Sequence, residues 1–492
     1  MNRLLIGAAL GALLLPSAAL AQPDAACPNV NCAESLLAER VGNALGPNGW
    51  EGLAAPTYGA WGLDLDGRDL SVNPGDDFNR YAGGLALDRM QIPADRIRYG
   101  SFDILLQLSE NRMNDIIHRV AARTDLTPGS DEAKIADLYN SYSDQARVDA
   151  LDARPLEPYL AAIRAIDSHE AMAAYMGSTN GRFGAGVFGM GVAPDVKDPN
   201  RYITYVGQDG LGLPSRDYYL DARFAEKKEK YQAYIAQMLE MAGWADPAGS
   251  AAAIMAMEQR IAEAQWTVEQ SRDAEATYNP MTPAELAAMA PGFDWNGYFS
   301  GGGLPPLDKV VVGEKSAFPK IAAIFAETPM ETLRAWQAFQ TVDGMAPLLS
   351  QRFSDAQWQF RSHELSGQPQ QRPRERRAIA FTNGSMGYAL GRIYAAEYFA
   401  AGAQGPGRGD RQQPDHRHGQ SHPRSGVDER RNQTGRAREA VEIPGQDRLS
   451  RPLAGLFQPA DAARRPRLQR RTGGHVRLAP QPEPHQRPGR PH

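Results

Sequence analysis

The chain has 492 residues, 42% of them hydrophobic and 23% charged, with a formal net charge of −5. That length and apolar content exclude a wholly disordered chain and allow two or three domains with a large buried core, while the modest charge excludes a polyelectrolyte built as a whole for nucleic acid. With only Cys27 and Cys32 available, a cysteine-ligated zinc site and a thiol nucleophile are excluded as well.

The opening MNRLLIGAALGALLLPSAALAQP has the parts of a secretory signal: Arg3, a short apolar run, and a small-x-small cleavage site at Ala19-Leu20-Ala21. Residues 1–21 are therefore expected to be removed, leaving a periplasmic or extracellular chain that starts near Gln22. The apolar run is shorter than the roughly 20 residues that a bilayer span requires, so no membrane span is expected after cleavage. Residues 22–56 read as a linker. It carries CPNVNC, where Cys27 and Cys32 form a possible local disulfide under oxidising conditions. Lipid modification of the cysteine in DAAC is the weaker reading, because the leucine usual three positions earlier is missing.

Residues 57–400 have the patterning of a folded, helix-rich domain. In DILLQLSENRMNDIIHRV, Leu105, Leu108, Met113, Ile116 and Val120 predict one apolar helical face, with His118 on its flank as a boundary residue. The stretch RFAEKKEKYQAYIAQMLEMAGW repeats the pattern through Phe224, Tyr231, Ile235 and Leu239, with lysines on the solvated face. TPAEL predicts a helix start with Thr282 as N-cap and Glu285 as its reciprocal partner, and TPMETL predicts the same for Thr328 and Glu331. RYITYVG and DKVVVGE are the strand candidates. The domain is thus expected to be mainly α with a minor β component.

Character changes abruptly in residues 401–492. This tail holds 18 arginines and no lysine, 12 prolines, 12 glycines, six of the nine histidines and a single aromatic, Phe457. Nine acidic residues leave it net +9, so the preceding part is net −14. Such a composition cannot pack a core, and a disordered tail is expected. It reads either as a basic arm for an anionic surface or as translation out of frame. The second reading accounts for the wholesale absence of lysine and the scarcity of residues with A- and T-rich codons; no nucleic-acid partner is expected of an exported chain. His416, His418 and His422 lie within seven positions here, but Gly419 and Pro423 prevent the helix that would hold them on one face, so no metal site is expected from them.

Several ordered stretches, among them NPGDDFNRYAGG, IPADRIRYGSFDIL, KIADLYNSYSD, YVGQDGLGLPSRDYYL, TYNPMTPAEL and LSGQPQQRPRERRAIAFTNGSMGYALGRIYAAEYF, resemble the neprilysin and endothelin-converting-enzyme family of zinc metallopeptidases, in its bacterial oligopeptidase branch. The resemblance implies the helical amino-terminal lobe of a two-lobed, exported peptidase that encloses oligopeptide substrates. The family's hydrolysis uses zinc held by two histidines in H-E-x-x-H, with the intervening glutamate as general base and a later glutamate as third ligand. No H-E-x-x-H occurs in this sequence: His169-Glu170 is followed by Ala173 where the second histidine belongs, and His363-Glu364 by Gly367, with Gln368 beside it. No catalytic or metal residue is therefore assigned, and zinc is not expected to bind this chain. One substrate-binding residue follows from the resemblance, Arg98 in RYGSFDIL, which matches a family arginine that binds the free carboxylate of the peptide. A second family arginine, eight positions on, is Leu106 here. A non-catalytic peptide-binding module is the alternative function.

Overall fold

The computed structural model describes residues 64–398, together with residues 45, 46, 49, 50, 52, 53 and 55. Cys27, Cys32, His416, His418, His422 and the tail from residue 401 lie outside the described residues.

Leu45–Gly46 (β1) pairs with Gly49–Trp50 (β2). Helix α1, Phe78–Arg89, starts where the Asp77 carboxylate accepts from the Arg80 N–H. Its successor α2, Ser101–Ala121, packs with α3, Asp131–Ser143, and with the last helix, Arg374–Tyr398, into a three-helix group. The centre of that group is Ile116, Ile117, Val120, Ile135, Ile379 and Leu390. The buried stripe of α2 departs from the expected one at Leu105 and at Met113, which is only partly buried. Ile104 is buried, whereas Leu105 is 49% exposed, because the stripe advances in steps of four through Ile104, Leu108, Ile116 and Val120.

Short helices α4 (Gln145–Leu151) and α5 (Glu157–Arg164) lead to α6, His169–Thr179, and then to a four-stranded sheet in the order β3-β4-β6-β5. Its strands are β3 (Phe188–Asp195), β4 (Asp198–Gln208), β5 (Asn279–Met281) and β6 (Val310–Val312). Both strands expected from the sequence are present, as β4 and β6, and they pair in parallel, Thr204 opposite Val310. Their partners β3 and β5 carry Gly, Pro and Asn and gave no strand signal; β3 is antiparallel to β4, and β5 to the buried β6. Val310, Val311 and Val312 are all fully buried, as a short strand covered on both faces requires.

The one-turn helix α7 (Asp217–Leu220) precedes α8 (Ala225–Met241) and α9 (Pro247–Ala264), which pack together and against α13 (Met330–Met345). Tyr231, Ile235 and Leu239 form the buried face of α8 as its periodicity predicts, while Phe224 falls in the turn before the helix. After α10 (Pro283–Met289), helices α11 (Trp295–Gly301) and α12 (Phe318–Glu327) contribute to an aromatic core in which Phe188 lies 4.6 Å from Trp295 and 4.8 Å from Phe318. Each such side chain contributes roughly 1.5–3 kcal/mol on burial.

The Thr282 capping box forms as expected: its Oγ1 accepts from the Glu285 N–H at 3.2 Å, and Glu285 Oε2 accepts from the Thr282 N–H at 2.7 Å. Thr328 does not cap. Its N–H and its hydroxyl both donate to the Ile324 carbonyl, closing α12, and the next helix starts from Pro329. Two residues between helices leave Thr328 committed to the first of them.

After α14 (Gln351–Gln357) the chain continues as a π-helical segment, Trp358–Glu364, before α15, Arg374–Tyr398. This segment sets Arg361 against Asp343 at 2.8 Å, with its other nitrogen donating to the Gly212 carbonyl. Gly212 belongs to QDGLGLPSRDYYL, which the structure makes a core loop. Tyr219 Oη accepts from the Leu213 N–H at 3.0 Å and donates to Glu258 Oε2 at 2.6 Å. Trp336 Nε1 and Tyr231 Oη donate to Glu258 Oε1 at 2.8 and 3.3 Å. Burial pushes the Glu258 carboxyl pKa up, and these donors pull against that shift. A fully buried carboxylate is thereby held by three aromatic donors from three helices.

Candidate functional site

Arg98 lies in the segment between α1 and α2, and the main chain around it is fastened at successive points. The Arg96 N–H closes a turn onto the Pro93 carbonyl at 3.0 Å. From the loop before α15, the Gln370 N–H reaches the Ala94 carbonyl at 3.0 Å and Gln368 Nε2 reaches the Asp95 carbonyl at 3.0 Å. Arg96, itself 11% exposed, donates to Gln107 Oε1 at 2.7 Å, and its guanidinium lies 6.0 Å from the centre of the Tyr99 ring. Tyr99 packs with Ala55 on Ile104 and Leu108 of α2. The segment before residue 64 is anchored to the same helix, where Asn111 Nδ2 and Arg112 Nε donate to the carbonyls of Gly52 and Leu53 at 3.1 and 2.8 Å.

Against this fixed frame the Arg98 side chain is 84% exposed, with Asp103 Oδ1 3.8 Å from its Nε, an ion pair too long for a hydrogen bond. Its surroundings in sequence are apolar and exposed as well: Ile97 at 57%, Phe102 at 88% and Leu106 at 57%. Phe102 and Leu106 are one turn apart on α2, so they share a face. A planar guanidinium beside exposed apolar side chains suits the end of a peptide, a carboxylate attached to a hydrophobic body. Leu106 stands where the resemblance would place a second arginine, and with it the site offers one fork instead of two.

The histidines of the two incomplete zinc motifs are engaged elsewhere. His169 Nε2 donates to the Thr328 carbonyl at 2.9 Å while its ring meets Phe325 edge-on, and His363 Nδ1 donates to the Gln368 carbonyl at 2.9 Å. His118 sits half-exposed on the flank of α2, its Nε2 2.7 Å from Tyr139 Oη and 3.4 Å from Glu375. Among the described residues no three His, Cys, Asp or Glu side chains come together as metal ligands. The described residues therefore offer no set of the kind the family's zinc ion needs, two histidines one turn apart and a carboxylate. Among the described residues no helix is long and apolar enough to cross a membrane.

Residues missed by sequence reasoning are those that fasten the site. Glu110, Gln107 and Gln368 read as ordinary polar positions, and only the run of arginines at 372–377 hints at acidic partners nearby.

Residues 74–405 match the amino-terminal model of "Peptidase family M13". Endothelin-converting enzyme 1 of Cavia porcellus is 25% identical over 356 residues, which cover 68% of this chain and 46% of that protein, and the Homo sapiens enzyme is 26% identical over the same number, covering 68% and 45%. Among solved structures, the Mycobacterium tuberculosis zinc metalloprotease ZMP1 in complex with inhibitor superposes with a TM-score of 0.64 at 30% identity, covering 70% of this chain and 52% of that one. PepO from Lactobacillus rhamnosis shares the fold with a TM-score of 0.54 at 19% identity, covering 65% and 50%. The chain spans about half the length of the curated relatives it matches.

Proposed function

Because the chain belongs to peptidase family M13, we propose that it is the helical amino-terminal lobe of an exported zinc metallopeptidase acting on oligopeptides, and that this chain by itself holds peptide carboxy-termini at Arg98 without cutting them. The observation that supports peptide binding is the contrast at Arg98, a main chain fastened on both sides and a guanidinium 84% exposed. A site held in place before the ligand arrives loses less entropy on binding. In the family, zinc supplies Lewis-acid activation of water. With no H-E-x-x-H in the sequence and the histidines of the two incomplete motifs, His169 and His363, engaged by carbonyls, no hydrolytic step is assigned to this chain.

The chemistry left to the chain is recognition. The Arg98 fork meets the two oxygens of a terminal carboxylate, Asp103 shares the guanidinium from 3.8 Å, and the exposed Phe102 and Leu106 offer contact to the last side chains of the peptide. An exposed charge pair is worth about 1 kcal/mol, or roughly fivefold in affinity. Titration calorimetry should therefore show tighter binding of an oligopeptide with a free carboxylate than of its carboxamide, with the difference lost in Arg98→Ala. Chromatography of the same mixtures with added zinc should show uncut peptide. Equal affinity for both peptides, or cleavage, would overturn this reading.

A further inference from the structure

On the reading of Arg98 as a carboxylate binder, we infer that Glu110 is the positioning residue of that site, acting through Arg96. Glu110 lies on α2, 12 positions beyond Arg98, and is 20% exposed. Its Oε2 gathers three guanidinium groups: Arg372 at 2.7 Å, Arg96 at 3.4 Å and Arg376 at 3.9 Å. Two of them come from the start of the last helix and its lead-in, and the third stands two residues before Arg98. One carboxylate oxygen is thus the meeting point of the Arg98 segment and the chain that returns beside it after the π-helical turn.

Local charge makes Glu110 the decisive member. Three arginines face only Glu110 and Asp95, and Asp95 is held loosely, its Oδ2 3.7 Å from Arg372 Nε. Arg376 keeps a second partner, Asn111 Oδ1 at 3.0 Å, and Arg96 keeps Gln107. Arg372 has only the long 3.7 Å pair with Asp95 in reserve among the described residues, and its Nε is buried without a hydrogen bond. Neutralising Glu110 leaves clustered guanidinium groups that repel one another, and Arg96 carries that repulsion to the segment two residues before Arg98. Arg98 then keeps its side chain and its exposure but loses the fixed backbone from which it meets a carboxylate. Positions within a degree of fit matter because the guanidinium fork is planar and directional.

The test is titration calorimetry with an alanine-rich hexapeptide, prepared with a free carboxylate and as its carboxamide, on the full chain, Arg98→Ala, Glu110→Gln and Glu110→Asp, each checked for a native unfolding transition. The wild-type chain should prefer the carboxylate peptide, and Arg98→Ala should remove that preference. Glu110→Gln should reduce the roughly fivefold preference to about twofold or less with carboxamide affinity unchanged, and Glu110→Asp should restore part of it. If the wild-type chain shows no preference, the peptide-binding reading itself fails and the role of Glu110 falls with it. If Arg98→Ala abolishes the preference but Glu110→Gln retains it, or weakens both peptides equally, Arg98 stands and the positioning role is wrong. Should Glu110→Gln not fold, Arg96→Met severs the same link while leaving Glu110 paired with Arg372 and Arg376. An undiminished preference in that variant also overturns the inference.

Discussion

Gly212→Ala tests whether QDGLGLPSRDYYL is locked into the core. A Cβ at position 212 would stand 1.7 Å from Tyr231 Oη, 2.7 Å from its Cζ and 3.3 Å from Glu258 Oε1. Tyr231 is fully buried, with its ring 5.4 Å from that of Phe360, so it cannot swing into solvent to make room. Forcing a methyl into a packed core costs about 1–3 kcal/mol. Loss of the Tyr231 bond to a buried carboxylate adds about 1.5–3 kcal/mol. A folded unit of about 335 residues has an unfolding entropy near 0.7 kcal/mol/K, so a loss of about 4 kcal/mol lowers Tm by roughly 6 °C. Calorimetry on Gly212→Ala, Tyr231→Phe and the double variant measures this. Tyr231→Phe removes the closest clashing atom, so the double variant should be less destabilised than the sum of the two singles. A Gly212→Ala Tm within about 1 °C of wild type, or strict additivity, would refute the contact.

Two further outcomes follow from the geometry. The Asp152 carboxylate is held down to about 2 by hydrogen bonds from Arg352 and then Ser350, against an opposing effect of burial. A carboxyl depressed in the folded state stabilises the fold above its unfolded pKa near 4, and that contribution is lost as pH falls from 4 towards 2. With both side chains more than a third exposed, screening reduces it to about 1 kcal/mol. Asp152→Asn keeps a residue tolerant of the positive φ of 48° found there, so it should remove this increment at pH 7 and flatten the fall in urea-denaturation stability between pH 4 and pH 2. Thr282→Ala removes the side-chain half of the capping box of α10, the Oγ1 that accepts from the Glu285 N–H, and should cost about 1 kcal/mol in the same assay.

Much of the helical scaffold was legible in the sequence because a helix that packs on one face must repeat its apolar residues near every 3.6 positions. Tyr231, Ile235 and Leu239 announce α8 in this way, and Thr282 with Glu285 announces α10, since both signals are local. The motif around Arg98 was legible through resemblance. Neither periodicity nor resemblance places Leu105, whose exposure depends on what α2 meets. Strand β3, with Gly189, Gly191 and Pro194, became a strand only because β4 lay beside it.

By itself, then, the sequence determined the mainly helical class and the family, and through the resemblance it pointed to Arg98 as the proposed carboxylate binder. It could not determine that Glu258, in the middle of a helix between Met257 and Gln259, is fully buried. Its donors Tyr231, Tyr219 and Trp336 lie 27, 39 and 78 residues away. The same holds at the candidate site, where Glu110 meets Arg372 across 262 residues and Gln368 meets Asp95 across 273. A buried charge leaves no periodic trace, because what makes its burial tolerable is a set of partners that only the folded chain assembles.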